Sequence, residues 1–422
     1  MGHRFSGNLP EFWSDPLGFL LDCHREFGDV VRLGARNLLV AHPDHVADVL
    51  ANRRDAFAKT GAVAGRSSAR GSGFPQAMMN SQGEDWQQKR QRLQPLFAGS
   101  EVAAFGPAVI ERTRSLVQSW RDGEVRDTRR DMSALALDLI VAFLFGRLAG
   151  RGARAVDKAV AAVMDITATP FAFPRWVPTP ANLRLRRANR ELADFIHELI
   201  GDGRASRLSL LAALSEDRET ESYVHDEIAT LLMSGHETTA DALSWMWHLL
   251  SRSPRVQERM RQEAASETIA SCAESGDSSL LPYTSAVVRE ALRLFPPAWI
   301  TNREVVGEVV LGSYQVPKGM TVAVSQWVSH RDGRFFKDPG RFRPERWLED
   351  SETAPRFAFF PFGGGRRVCI GARLAMQEIV LIAATICRSH MLESVPESQV
   401  VPRPALALQP SGLRLRVLRR GS

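Results

Sequence analysis

The amino-acid sequence predicts a mainly α-helical chain with a minor β part, and three observations carry that prediction. Apolar residues recur at helical spacing through a series of long stretches. Strand-like runs are short and confined to residues 30–41, 308–327 and the C-terminal end. Arg, Phe, Pro and Gly break all periodicity over residues 329–365. With 44% hydrophobic and 24% charged residues, the 422-residue chain has an ordinary globular composition, so disorder is not the default.

Residues 16–27 have helical apolar spacing, and 30–33 and 38–41, separated by Ala35, Arg36 and Asn37, read as a short hairpin. Helices follow at 44–52, 84–97, 101–120, 133–145, 155–167, 182–200, 223–250 and 283–294. The stretch 223–250 is long enough to cross a whole domain at ~1.5 Å per residue. Pro170, Pro174, Pro178 and Pro180 make a loop between two helices. Residues 61–73, rich in Gly, Ser and Ala, and 271–279, rich in Ser and Gly, read as surface loops. Strand-like pieces at 308–315 and 321–327 precede the irregular stretch, and one last helix follows Gly-Arg-Arg-Val-Cys.

The net charge of +6 comes mostly from scattered arginines. Its densest clusters, Arg184, Arg186, Arg187 and Arg190, and Arg414, Arg416, Arg419 and Arg420, read as solvated faces of a helix and of a terminal strand, which argues against nucleic-acid binding. Cys23, Cys272, Cys369 and Cys387 lie far apart without Cys-x-x-Cys spacing, against a structural zinc site or a disulfide framework and in keeping with a reducing cytoplasm. No charged head precedes an apolar signal core, and the apolar runs 135–146 and 379–387 are too short or carry a charge such as Asp138. Neither secretion nor membrane spanning is expected.

The chemistry gathers in Phe362-Gly363-Gly364-Gly365-Arg366-Arg367-Val368-Cys369-Ile370-Gly371, which places one cysteine at the mouth of a helix, behind a glycine-rich turn and beside arginines. Backbone N–H groups at a helix start and guanidinium charges favour the ionised sulfur and make it a strong metal ligand. Taken alone, such a cysteine is more commonly a small buried thiol. However, Phe362, Gly365, Arg367, Cys369 and Gly371 fit every specified position of Phe-x-x-Gly-x-Arg-x-Cys-x-Gly, and on them the sequence resembles the bacterial cytochrome P450 family of haem-thiolate monooxygenases. The resemblance implies that Cys369 ligates the iron of haem b (iron protoporphyrin IX) and pushes electron density toward it. Phe362, Arg367 and Gly371 would lie against the cofactor. The implied architecture is the family's triangular α-rich fold, one haem domain over residues 1–422 with no fused reductase. The haem would lie between the long helix and the helix after Cys369.

Further constellations occur in the family's order. Glu290 and Arg293, three apart on a helix, would alone be a surface pair. With Leu281-Pro282-Tyr283 before them, Phe295-Pro296-Pro297 after, and Pro344-Glu345-Arg346-Trp347 farther on, they resemble the family's Glu-x-x-Arg helix. That implies a buried triad of Glu290, Arg293 and Arg346 holding the irregular stretch in place. Trp86 and Arg90, four apart, would alone be an interfacial indole and a solvated guanidinium; the resemblance implies that they grip a haem propionate, with Arg303 and Arg367 as the other propionate-binding cations.

Ser234-Gly235-His236-Glu237-Thr238-Thr239 sits in the middle of the long helix, where a glycine costs ~1 kcal/mol. The bland account is a polar patch with Thr238 bonding back to the preceding turn. The resemblance implies the family's oxygen-activating signature, with Gly235 against the haem and Glu237 and Thr238 relaying protons over its distal face, Glu237 linking that site to solvent. Ser234 departs from the family's usual Ala or Gly. His236 is not expected to bind the iron, which Cys369 explains.

The implied reaction inserts one oxygen atom from dioxygen into a substrate C–H or C=C bond. Electrons would come from a separate ferredoxin and ferredoxin reductase, docking on Lys89, Arg92, Arg366 and Arg373. The implied pocket walls are Phe74, Met78, Met79, Leu231, Ser234, Ala298, Trp299 and Ile300, with the proline-rich segment 171–176. They suit a medium-sized apolar molecule, such as a terpenoid or polyketide intermediate of secondary metabolism. The expected protein is a cytoplasmic monomer with no nucleic-acid or membrane partner. Other readings stay open: a peroxide-using or isomerising relative, which would usually replace the Glu237–Thr238 pair or insert into the cysteine loop, and a haem-based sensor or electron carrier, which would not need the pair.

Overall fold

The computed structural model describes residues 8–51, 55–60, 74–167, 173–174, 176–201, 214, 221–348, 354–396 and 398–420. Its helices are α1 (Leu9–Ser14), α2 (Pro16–Phe27), α3 (Pro43–Ala51), α4 (Gly83–Leu93), α5 (Gly99–Gln118), α6 (Thr128–Phe145), α7 (Ala153–Thr167), α8 (Pro180–Gly201), α9 (Glu221–Leu250), α10 (Pro254–Glu263), α11 (Ser266–Ser275), α12 (Pro282–Leu294), α13 (Gln326–Ser329) and α14 (Ala372–Ser389). The strands are β1 (Val30–Gly34), β2 (Asn37–Val40), β3 (Phe57–Lys59), β4 (Val125–Asp127), β5 (Thr301–Val305), β6 (Val309–Leu311), β7 (Tyr314–Val316), β8 (Thr321–Val324), β9 (His390–Ser394), β10 (Val401–Pro404), β11 (Leu408–Ser411) and β12 (Arg414–Arg419). Local chemistry sets the ends. Asp15 Oδ1 accepts from Gly18 N at 3.0 Å with Pro16 in the first turn of α2, and Asp127 caps α6 through Arg130 N at 3.1 Å.

The backbone falls into two compact units. The first is drawn from Met1–Arg70, Leu292–Phe342 and Glu349–Cys369. Its five-stranded sheet runs β1-β2-β8-β5-β3, antiparallel except where β2 pairs in parallel with β8, Val40 opposite Val324. Val40, Val322 and Val324 pack with Val46, Val49 and Leu50 of α3, and the irregular stretch adds Phe357 and Phe360 to the same core. Two readings of the sequence are corrected here. Residues 308–315 are a turn-joined pair, β6 and β7, rather than one strand. Residues 321–327 end as a strand at Val324, because the Ser325 hydroxyl accepts from Val328 N at 3.3 Å and starts α13.

The second unit comprises Gly71–Ala291, Arg343–Leu348 and Ile370–Ser422. Its α6 is buried on nearly every side and packs along α9. Trp245 and Trp247 of α9 are enclosed, and Trp245 Nε1 donates to Leu408 O at 2.7 Å, tying the helix to the β10–β11 hairpin. β12 lies between β4 and β9, burying Leu415 and Val417 while Arg414 and Arg416 face out. The expected loop at 271–279 is largely α11, which buries Ile269, Cys272 and Ala273 at helical spacing and stops at Gly276. The expected loop at 61–73 lies outside the described residues. No helix among the described residues is long and apolar enough to cross a membrane.

Candidate active site

In the first unit the cysteine loop is held from both ends. Burial keeps His330 well below its ordinary pKa and therefore neutral, and its Nε2 accepts from Phe360 N at 3.0 Å. Cys369 N donates to Phe362 O at 3.0 Å, closing the loop that Phe362 opens. Between them Gly365 has φ +66, and a Cβ there would collide with the carbonyl of Leu50, so only glycine satisfies both the backbone and the packing. The result singles out one sulfur. Cys369 is exposed, whereas Cys23, Cys272 and Cys387 are buried, and burial pushes the last two up to about 11 and about 12.

Cations gather in the same unit. Lys59 of β3 stands directly opposite Arg303 of β5. Burial, followed by the charges of Arg367 and Arg303, brings Lys59 down to about 8, and burial lowers Arg303. Like charges facing each other across neighbouring strands repel, and a dianionic ligand would turn that repulsion into attraction. Lys59 is a functional candidate that sequence reasoning missed, since only strand register reveals it. In the second unit, Trp86 and Arg90 share one face of α4, with the guanidinium 5.9 Å from the indole ring centre. The exposed thiol and the crowded cations fit a thiolate-ligated ring bearing carboxylates.

On α9 of the second unit, Thr238 is exposed, and its hydroxyl donates to Ser234 O at 2.7 Å. Glu237 turns the other way and is only 5% exposed. It accepts from Arg129 of α6 and from Gln409 of β11. Arg129 Nε also reaches Asp241 Oδ1 at 3.2 Å, so one guanidinium bridges two acids a helical turn apart. Burial raises the pKa of Glu237 against the pull of Arg129, and burial together with Glu237 holds Asp241 well above the carboxylate range. Glu237 therefore has little direct access to solvent, in place of the open link to solvent that the sequence implied. Arg129, Asp241 and Gln409 had no signal in the sequence.

Two neighbours pack against α6. A Cβ at Gly235 would lie 2.9 Å from Ile140 Cδ1, so this glycine lets α9 pack closely on α6. His236 is buried and accepts from or donates to Ser133 Oγ at 2.7 Å, and burial lowers it to about 4.

The remaining candidates are placed as follows. Glu290 accepts from Arg346 Nε at 3.1 Å, Arg343 N at 2.9 Å and Trp347 Nε1 at 3.0 Å, all within the second unit. Arg293 donates to His330 O at 2.9 Å, Pro339 O at 2.7 Å and Arg341 O at 3.2 Å within the first unit. Phe74, Met78 and Leu231 are buried, Met79 is exposed and Ser234 half-buried. Ala298 is exposed, Ile300 half-buried, and Trp299 is buried with its carbonyl fixed by Ser325 Oγ at 2.9 Å. Gly371 precedes α14, where a Cβ would meet Phe97 Cε1 at 3.8 Å, an ordinary contact. Arg366 and Arg373 are exposed and Arg92 is half-buried, whereas the Lys89 ammonium is committed to Gln76 O at 2.7 Å, Ser81 Oγ at 2.9 Å and Asp85 Oδ2 at 3.0 Å, so Lys89 leaves the expected docking patch.

An α-rich fold with an exposed cysteine behind a glycine loop defines the haem-thiolate class of protein. The family model "Cytochrome P450" matches residues 2–417. The chain belongs to the cytochrome P450 family and is a P450 monooxygenase, and the family implies a haem iron held by a cysteine thiolate. It is 34% identical over 411 residues to cyclooctat-9-en-7-ol 5-monooxygenase of Streptomyces melanosporofaciens, covering 92% of this chain and 88% of that one. It is 31% identical to pentalenene oxygenase of Streptomyces avermitilis, covering 98% and 95%. Among solved structures it is similar to CYP175A1 from Thermus thermophilus, with a TM-score of 0.79, 30% identity and 99% coverage of both chains.

Proposed function

We propose that this chain binds haem b through Cys369 and inserts one oxygen atom from dioxygen into an apolar terpenoid intermediate of secondary metabolism. The observation that carries the reading is that Cys369 is the one exposed cysteine of the four, in a loop closed by the bond from Cys369 N to Phe362 O. Phe362, Arg367 and Gly371 would lie against the haem, with Arg303, Lys59, Trp86 and Arg90 taking its carboxylates. The bound haem supplies the reductive activation of dioxygen. The Thr238 hydroxyl donates its hydrogen bond to Ser234 O, so its oxygen would accept from a water and hold that water in place. Glu237 would exchange its proton with solvent when its carboxyl swings away from Arg129 and Gln409, which hold it in place.

The apolar candidates Phe74, Met78 and Leu231 suit a hydrocarbon skeleton, and relatives named for cyclooctat-9-en-7-ol and pentalenene favour a terpenoid over a polyketide. Electrons come from a separate ferredoxin and ferredoxin reductase, and the protein works as a cytoplasmic monomer. The first test is optical. The reduced, carbon monoxide-bound protein should show the red-shifted Soret band of thiolate ligation; Cys369→Ala should lose it, and alanine at Cys23, Cys272 or Cys387 should not. Survival of the band in Cys369→Ala removes the assignment. Spin-state titration with cyclic terpene hydrocarbons and alcohols tests the substrate class, and a preference for small charged compounds overturns it.

A further inference from the structure

Two backbone amides two residues apart meet two consecutive carboxylates on α9. Met78 N donates to Glu227 Oε2 at 2.6 Å, and Gln76 N donates to Asp226 Oδ2 at 3.0 Å. Lys89 of α4 closes the same segment through Gln76 O at 2.7 Å and Ser81 Oγ at 2.9 Å. The Phe74 ring packs against His225, 6.1 Å between centres. Irregular segments ordinarily give their amides to water. Here buried acids take that place: Glu227 is 0% and Asp226 6% exposed. Both lie beyond the first turn of α9, so they are not caps for the helix's own amides.

We propose that Asp226 and Glu227 are positioning residues that latch the segment 74–80 and thereby set which substrates the pocket admits. The latch rests on the reading of Phe74, Met78 and Met79 as substrate-facing. The groups around Glu227 are Asp226 on its own helix, Lys89 and Asp85 from α4, and the Met78 amide. Burial pushes Glu227 up to about 7, opposed by the Met78 amide and Lys89 and reinforced by Asp226 and Asp85. Released into water it would titrate near ~4.3. The latched form therefore holds a proton that the released form has lost, and the latch is firmest below the released value and weakens as pH rises to about 7. Glu227→Gln keeps an acceptor for Met78 at every pH, whereas Glu227→Ala removes it.

The experiment is hydrogen exchange on the haem-loaded protein, paired with spin-state titration using farnesol and geranylgeraniol as probes. Glu227→Ala and Asp226→Ala should speed exchange in the peptide 74–82 about tenfold, and should change the ratio of the two probes' dissociation constants by a similar factor. In protection relative to the intrinsic exchange rate at each pH, Glu227→Gln should match the unaltered protein near pH 5 and, unlike it, stay flat to pH 8. Unchanged exchange in the alanine variants overturns the latch, and faster exchange with an unchanged probe ratio overturns its role in selectivity. If Glu227→Ala fails to load haem, the pH profiles of the unaltered protein and Glu227→Gln decide, and parallel profiles overturn the proposal. The reduced carbon monoxide band, recorded on every sample, separates these outcomes from a failure of the Cys369 assignment.

Discussion

The proposed function makes Thr238 the single hydroxyl that separates productive from wasted reduction. Its proton is committed to Ser234 O, so on that proposal its oxygen would act as an acceptor for a water. Thr238→Ala should go on consuming dioxygen and reductant while hydrogen peroxide rises and product per electron falls roughly tenfold, and Thr238→Ser should recover most of the yield. Simultaneous assay of product, peroxide and reductant checks this; an unchanged yield shows that another group holds the water. Glu237→Gln should instead slow turnover by about 10²-fold with the product-to-peroxide ratio kept. The sequence made Cys369, Glu237 and Thr238 legible because each sits in a fixed local spacing. It hid Arg129, 108 residues from the acid it grips, and Lys59, which becomes a partner of Arg303 only through strand register. A group delivered from a distant element leaves no periodicity to read.

For the elements, the contact between α6 and α9 depends on an absence. Gly235→Ala places a methyl 2.9 Å from Ile140 Cδ1. Overpacking of that kind costs ~1–3 kcal/mol, partly offset by the better helix propensity of alanine, ~1 kcal/mol. The net expectation is a small loss in the thermal midpoint of the haem-loaded protein. No loss in Gly235→Ala would mean that the two helices part without cost. Long amphipathic helices such as α8 and α9 were readable from apolar spacing to within a few residues. By contrast, α10 shows only Val256 and Met260 against a charged background, and α11 hides its buried face in small residues, Cys272 and Ala273. Low contrast, not low helicity, concealed them.

For the molecule as a whole, acid and base stability meet in the first unit. The Asp332 hydrogen bond raises His24, while His24 and Arg334 hold Asp332 well below the carboxylate range against the effect of burial. Asp332 contributes stability above ~3.9 that is lost as pH falls, and His24 contributes stability below ~6.5 that is lost as pH rises through its folded value. Both are present between those limits. Asp332→Asn should therefore lower the thermal midpoint most near pH 5.5 and less at pH 3 and pH 8, and an equal loss at all three would refute the linkage. The family's α-rich architecture was legible from its motifs; the division of the first unit among three stretches of chain was not, because the helices of the second unit intervene. That interleaving bears on synthesis. Val40 has to wait for Val324, and at roughly 5–20 residues per second the partner strand is made on the order of tens of seconds later. During translation, the N-terminal hairpin is an unfinished sheet edge, open to chaperones or to other nascent chains, while the helices between can already fold.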